Sequence, residues 1–509
     1  MNPIPGHLLH ARFLRGLQRS PKGAAIRVGS GTVTYEEAYD LALRWAGALT
    51  AAPAGRPRAV GVLAGKGVGA YVGVLAALFT GSPVVPLHPE LPVSRLRYML
   101  QTSGADVVLA DAPGALALRE TELSIPVVRT DQDAAPAPAR PLDAPRTARP
   151  EDVAYLLFTS GSTGRPKGVP LTHANLDHHF RLLDERYDFD RQDVFSQVLE
   201  LNFDCAIFEL FAAWGAGATV CHVPAQAYLD LPSFCAERGI SVWFSTPSTI
   251  GLVRKMDGLT PGALSGLRWS FFAGEALKCT DVADWQTAAP GSVIENLYGP
   301  AELTLTITGH RWSPERSRQL AVNGVVPIGR VYPDHDHVLL APDGKESPVE
   351  GELCISGPQM SPGYLVAKDN EGRFVKRDGR LWYRTGDRVR RLPGGELAYL
   401  GRMDSQVQVQ GVRVELAEID EALRACTGVA DAVTVARRTG YDRELVAFYT
   451  GSAALSPVEL TRQLRKILPA AVVPKAFRYL EEFPLNPNRK IDRLRLAAMA
   501  AGQLETEEP

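Results

Sequence analysis

YLLFTSGSTGRPKGVPLTHANL, residues 155–176, opens as an apolar run, turns through a loop of Gly, Ser and Thr, passes one lysine and ends on a helix start. Gly161, Gly164 and Gly168 let the backbone turn tightly and bring N–H groups close to phosphate oxygens. Thr159, Ser160, Ser162 and Thr163 add hydroxyl donors, and Lys167 adds a point charge. Such a loop suits a polyphosphate. It is not the P-loop of NTPases, whose Gly-Lys is followed directly by Ser or Thr, because here Pro166 precedes Lys167 and Gly168 follows it. A flexible linker would not sit behind a buried strand and end in Pro-Lys-Gly.

Upstream, apolar runs such as AVGVLA (59–64) alternate with helix-like stretches such as YVGVLAALF (71–79), the rhythm of βα units around a parallel or mixed sheet. The glycines at 65, 67, 69 and 73 miss the GxGxxG dinucleotide spacing and read as a structural turn. The segment 131–152, rich in Pro, Ala and charge, reads as an exposed connection between two α/β lobes. After Gly401-Arg402-Met403-Asp404 the pattern changes to a compact α+β unit. Leu416, Ile419 and Leu423 predict a helix, VADAVTVARR (429–438) and ELVAFYT (444–450) predict strands, and Ser456-Pro457-Val458-Glu459 predicts a capped helix start. The expected fold is α/β, with a large multi-lobed N-terminal domain (1–402) and a small mobile α+β C-terminal domain (403–509).

A chain of 509 residues exceeds one hydrophobic core, which agrees with two domains. Its 55 Lys and Arg against 57 Asp and Glu give no global field for nucleic acid, so polyanion binding is not expected. Six scattered cysteines form no CxxC or zinc spacing, and there is neither a signal h-region nor a bilayer-length apolar run. The expectation is a cytoplasmic protein, monomeric, with no membrane partner. The histidines of THANLDHHF (172–180) and YPDHDHVLL (332–340) have no zinc spacing and read as polar surface.

Further segments follow in order: NLYGPAELT (296–304), GELCISGPQMSPGYL (351–365), YRTGD (383–387), GRMDSQVQVQGVRVE (401–415) and NPNRKIDR (486–493). Together with the phosphate loop they resemble the motifs of the adenylate-forming enzymes, among them nonribosomal-peptide adenylation domains, acyl-CoA synthetases and luciferases. The resemblance implies ATP and magnesium. By it Tyr298 stacks on adenine, Glu302 holds the metal, Asp387 accepts the ribose hydroxyls, and Arg402 lies near ribose or phosphate. Gly274, Glu275, Asn296 and Gly299 complete the implied nucleotide site. Lys490 corresponds to the catalytic lysine that bridges carboxylate and α-phosphate, and Asp404 to the hinge of the small domain. The sequence departs from the pattern at Ala301, where Thr is usual, at Gln408 and Gln410, where basic residues are common, and at Arg489, where Gly is frequent.

LELNFDCAIFELFAAWGAGATV (199–220) resembles the part of amino-acid adenylation domains that lines the substrate pocket. Asp204 falls where those domains place the carboxylate that pairs with the substrate ammonium; a helix cap is the plainer reading of the same residue. The implied side-chain pocket is Cys205, Phe208, Phe244, Phe271, Ala273, Leu297, Leu305 and Thr306. It is uncharged and bulky, which points to a small neutral amino acid, alanine first. Too few residues follow Lys490 for a carrier domain, so the acyl group is expected to pass to a separate phosphopantetheinylated carrier protein. An acyl-CoA ligase of a non-amino acid is the alternative.

Overall fold

The computed structural model describes residues 5–51, 55–131, 140–160, 165–403, 406–409, 412–439, 442–484 and 491–502. Two sheets built from βα units form the main body. The first runs in the order Val127–Arg129, Val107–Ala110, Val60–Leu63, Val84–Leu87, Val153–Thr159, Lys167–Thr172, all parallel except the last hairpin. The second has nine strands among the described residues, with a parallel centre that includes Val194–Gln197, Val242–Ser245, Trp269–Phe272 and Val293–Tyr298.

Helices Val68–Phe79 and Cys205–Ala216 are apolar nearly all round, and beyond their first residues both lie inside one shared core. An all-round apolar helix has no solvated face, so it must be covered on every side. Placing the second of these helices inside the core fixes its N-terminal residues, Asp204 and Cys205, at the end of the sheets where connecting loops gather.

A five-stranded antiparallel sheet follows, which includes Glu350–Ser356, Arg380–Arg391 and Leu397–Arg402. The small domain holds the hairpin Gln406–Val409 with Val412–Glu415 and a sheet of Val429–Thr439, Asp442–Gly451 and Ala476–Tyr479. Side chains alternate across that sheet. Ala432, Ala447 and Tyr449 pack with Val409, Val414 and Ile419 on one face; Val433, Val435 and Phe448 pack with Phe483, Ile491 and Leu496 on the other. Among the described residues, no apolar cluster contains members from both sides of 400–406.

The α/β class and the large and small domains agree with the sequence reading. Two details do not. Helix Pro457–Leu464 begins after Ser456, but Ser456 makes no side-chain cap; Glu459 instead pairs with Arg462. His173, His178 and His179 are buried rather than superficial. His173 Nδ1 accepts the Leu9 N–H, tying the N-terminal segment to the helix His173–Arg186. No helix among the described residues is long and apolar enough to cross a membrane.

Candidate active site

The two domains meet over a cavity of about 710 Å³. Of the residues singled out in the sequence, Thr159, Ser160, Asp204, Cys205, Phe244, Ala273, Gly274, Glu275, Asn296, Leu297, Tyr298, Gly299, Asp387 and Arg402 line it. Gly161, Ser162, Thr163, Gly164, Asp404, Gln410, Arg489 and Lys490 lie outside the described residues.

At one end stands a polar triad made by strand register. Asp387 and Arg402 are direct cross-strand partners, which sets Arg402 Nη1 2.9 Å from Asp387 Oδ1. The Tyr298 hydroxyl donates to Asp387 Oδ2 at 2.6 Å. Burial raises the Asp387 carboxyl above the usual carboxylate range despite Arg402. A carboxylate held this way offers its remaining lone pairs to vicinal hydroxyls in the cavity. Asn296 points elsewhere in part, since its Nδ2 donates to the carbonyl of Pro327 at 2.9 Å. Glu275 accepts the Ser248 N–H at 2.8 Å. Gly299 is required by contact: a Cβ there would lie 2.5 Å from the Leu305 carbonyl oxygen.

Thr159 closes one strand and Ser160 follows it, and Lys167 opens the next strand. Lys167 Nζ sits 5.2 Å from the centre of the Tyr364 ring. The Tyr364 hydroxyl donates to Glu302 Oε1 at 2.5 Å. Glu302 is 1% exposed and accepts from Arg413 Nη1 at 3.4 Å on Oε1 and 3.2 Å on Oε2. Burial alone would raise its carboxyl, but Arg413 and the Tyr364 hydroxyl together hold it below the ordinary value. One buried, ionised oxygen ligand suits a magnesium ion that takes its other ligands from substrate phosphates and water. It suits one only with Arg413 withdrawn, because the guanidinium covers both carboxylate oxygens.

The other end is apolar. Cys205, Phe244, Ala273 and Leu297 form its wall. Phe208 and Phe271, expected in the wall, form the layer behind it, with the Phe208 ring 5.0 Å from Phe244 and 5.3 Å from Phe271. Leu305 and Thr306 are buried as well, and the Thr306 hydroxyl faces that of Tyr332 at 3.4 Å. The reason is packing: edge-to-face aromatic contacts draw Phe208 and Phe271 into the core and leave Phe244 as the ring that meets the cavity.

Asp204 stands at the border of the two ends. Its side chain accepts the Cys205 N–H at 2.7 Å, so it does cap the helix. It also lines the cavity, and no Lys or Arg among the described residues forms an ion pair with it. Desolvation pushes its carboxyl up to about 6. The folded-state value lies above the unfolded 3.8, so the native state binds the extra proton between the two. This contribution to stability is therefore present below 3.8 and is lost as pH rises through about 6. Asp204→Asn, which keeps the cap, is expected to stabilise the free protein by about 1–3 kcal/mol at pH 7.5, with the gain shrinking toward pH 5. Thermal unfolding of both proteins across that range checks it.

Sequence reading missed three residues. Gln359, fully buried, donates to the carbonyls of Leu303, Thr304 and Thr306. It braces Thr304 and Leu305, whose φ of +57° and +67° make a strained turn one residue beyond Glu302. Tyr364 and Arg413 lie inside quoted motifs, but a tyrosine and an arginine carry no spacing signal of their own.

Comparison with known proteins fits this geometry. A family profile described as "AMP-binding enzyme" matches residues 13–365. The L-proline–[L-prolyl-carrier protein] ligase of Pseudomonas fluorescens is 32% identical, over 97% of this chain and 100% of that protein. Among solved structures, IdnL7 is 52% identical over 98% of this chain and 100% of its own, with a TM-score of 0.76. The Vibrio cholerae adenylation domain AlmE, in complex with glycyl-adenosine-5'-phosphate, is 27% identical over 98% of this chain and 99% of its own, with a TM-score of 0.86. The chain belongs to the AMP-binding, adenylate-forming enzyme family. It spans 39% or less of the length of the first curated relatives it matches.

Proposed function

We propose that this chain activates a small neutral amino acid, alanine first, with ATP, and then loads it onto the phosphopantetheine thiol of a separate carrier protein. In the first step a substrate carboxylate oxygen attacks the α-phosphorus, the bond to the β-phosphate oxygen breaks, and pyrophosphate leaves. In the second the thiol attacks the acyl carbon, loses its proton, and AMP departs.

One observation carries the reading. The cavity joins a polar end, Tyr298, Asp387 and Arg402, to an apolar end whose border holds the carboxylate of Asp204. A substrate ammonium would pair with that carboxylate, whereas an acid without an amine would leave it desolvated and unmatched. This favours an amino acid over the substrate of an acyl-CoA ligase. Tyr298 and Asp387 would hold adenine and ribose, Glu302 the magnesium, and the loop from Thr159 to Lys167 the phosphates. Bound magnesium would neutralise phosphate charge. Lys490 would neutralise the charge that grows at the α-phosphate, with the domain border after Arg402 and Asp404 as hinge. A relative named as a prolyl-carrier ligase and a neighbour with a glycyl adenylate support a small substrate and a carrier as acceptor.

ATP–pyrophosphate exchange over all common amino acids, both stereoisomers of alanine included, tests the proposal. Exchange with aliphatic or aryl acids and none with amino acids would overturn it, as would free coenzyme A outrunning every carrier as acceptor. Because Phe244 is the ring at the apolar wall, Phe244→Ala is expected to move preference toward leucine or phenylalanine over alanine by about 10- to 200-fold. The same exchange assay, run on the three amino acids, reads that ratio.

A further inference from the structure

Gln359 is fully buried and does not line the cavity, yet it gathers the two histidine runs that the adenylation reading leaves without a role. Its backbone N–H donates to His335 Nε2 at 3.2 Å, and His335 Nδ1 donates in turn to the Pro333 carbonyl at 2.7 Å. The side-chain Nε2 stands 3.3 Å from His179 Nδ1. The same nitrogen is 2.9 Å from the Thr306 carbonyl and 3.2 Å from those of Leu303 and Thr304. Turned the other way, the amide would set its oxygen against three carbonyl oxygens, so the donor direction is fixed. The Gln359 carbonyl accepts the Thr304 hydroxyl at 2.6 Å. Side chain and backbone of one residue thus clamp a single turn.

That turn backs onto the cavity wall. The Ile307 N–H donates to the Tyr298 carbonyl at 2.7 Å. Gly299 packs so closely on the stretch 305–307 that a Cβ there would lie 2.5 Å from the Leu305 carbonyl oxygen and 2.7 Å from Thr306 Cα. Leu297, Tyr298, Gly299, Pro300 and Ala301 all line the cavity. Thr304 and Leu305 hold a positive φ without being glycine, a conformation that persists only where the surroundings enforce it. With the amide removed, three buried carbonyls would lose this donor and the turn would relax toward other partners. A stretch with no room for a methyl group passes such a shift to the wall in front of it.

We propose, resting on the adenylation reading above, that Gln359 is a positioning residue for amino-acid selection: held by His179 and His335, it sets the turn 304–306 and through it the cavity wall Leu297–Ala301. The wall runs from Leu297 at the amino-acid end to Tyr298 at the nucleotide end. A loosened turn therefore blurs the choice of amino acid and weakens ATP binding together.

Gln359→Met keeps the length of the side chain and removes the amide. The full chain is assayed by amino-acid-dependent ATP–pyrophosphate exchange, and the readout is the ratio of kcat/KM for the preferred amino acid to that for a larger neutral one. This ratio does not depend on how much of the protein is folded. Gln359→Met is expected to lower it about tenfold, within the range over which an apolar pocket discriminates, and to raise the KM for ATP more than it lowers kcat. Val282→Ala is the comparison, a cavity-forming change in a separate apolar cluster. It should lower the melting temperature and leave both the ratio and the ATP KM as in the wild type. His335→Ala removes the acceptor of the Gln359 N–H from a half-buried position and should move the ratio in the same direction by a smaller factor. An unchanged ratio in Gln359→Met, an unchanged ratio in His335→Ala where Gln359→Met does not fold, or an equal shift in Val282→Ala would each overturn the assignment. Amino-acid-dependent exchange by the wild type, measured alongside, tests the adenylation reading separately.

Discussion

Lys490→Ala is expected to lower amino-acid-dependent ATP–pyrophosphate exchange by about 100- to 1000-fold, the roughly 3–4 kcal/mol lost with one donor that serves mainly the transition state. Adenylation brings a carboxylate against a phosphate, so charge accumulates between two anions and a positioned cation is needed there. Lys490 itself lies outside the described residues, but its described neighbours Phe483 and Ile491 pack on one face of the small sheet. The hairpin that borders the cavity packs on the opposite face. In this orientation, then, the small domain presents Arg413 and Gln408, from the hairpin side of its sheet, to the cavity. The same variant should therefore transfer a preformed aminoacyl adenylate to the carrier at close to the wild-type rate. Exchange within tenfold of wild type, or an equal loss in both half-reactions, would remove Lys490 from the adenylation step.

The βα rhythm around residues 59–79 was legible because helix and strand periods are local, and Val60–Leu63 and Val68–Phe79 follow it closely. The gathering of Tyr298, Asp387 and Arg402 at the polar end of the cavity was legible too, for a different reason: they lie in short motifs whose order survives without any knowledge of contacts. What could not be read was depth. Phe208, Phe244 and Phe271 are chemically alike, and which ring meets the cavity is settled by aromatic packing among strands and a helix distant in sequence. Histidines 173, 178 and 179 look solvated by composition, but the N-terminal segment and the 335–359 region cover them. The Arg413–Glu302 pair spans 111 residues and two domains, so no local pattern announces it.

These two kinds of legibility bear on mechanism. Residues proposed to touch nucleotide lie in short motifs, whereas contacts across the domain border depend on how the small domain lies against the large one. Glu302 belongs to both sets. Its burial would disfavour the charge, and the Arg413 guanidinium with the Tyr364 hydroxyl restores it, so the ionised form of this motif residue depends on a contact made across the domain border.

Asp204→Ala is expected to reduce kcat/KM for the amino acid by roughly 30- to several-thousand-fold, the consequence of removing one partner of a buried charge pair worth about 2–5 kcal/mol. The residue has two roles to separate, since its carboxylate both caps the helix Cys205–Ala216 and faces the cavity. Losing the cap costs about 1 kcal/mol of stability and acts on every substrate alike. Losing the ammonium partner acts on the amino acid alone. The matching acid without the amine, propionate for alanine, should thus lose far less or even gain, because the uncompensated carboxylate has gone. Protonation gives an independent view of the same group. With its carboxyl near 6 in the free protein, wild-type kcat/KM should fall as pH drops below about 6, while kcat should hold to lower pH because a bound ammonium favours the ionised form. Asp204→Asn should lose that acid limb and keep the cap. An equal fall for alanine and propionate, together with an unchanged acid limb in Asp204→Asn, would mean that Asp204 supports the helix and does not read the substrate.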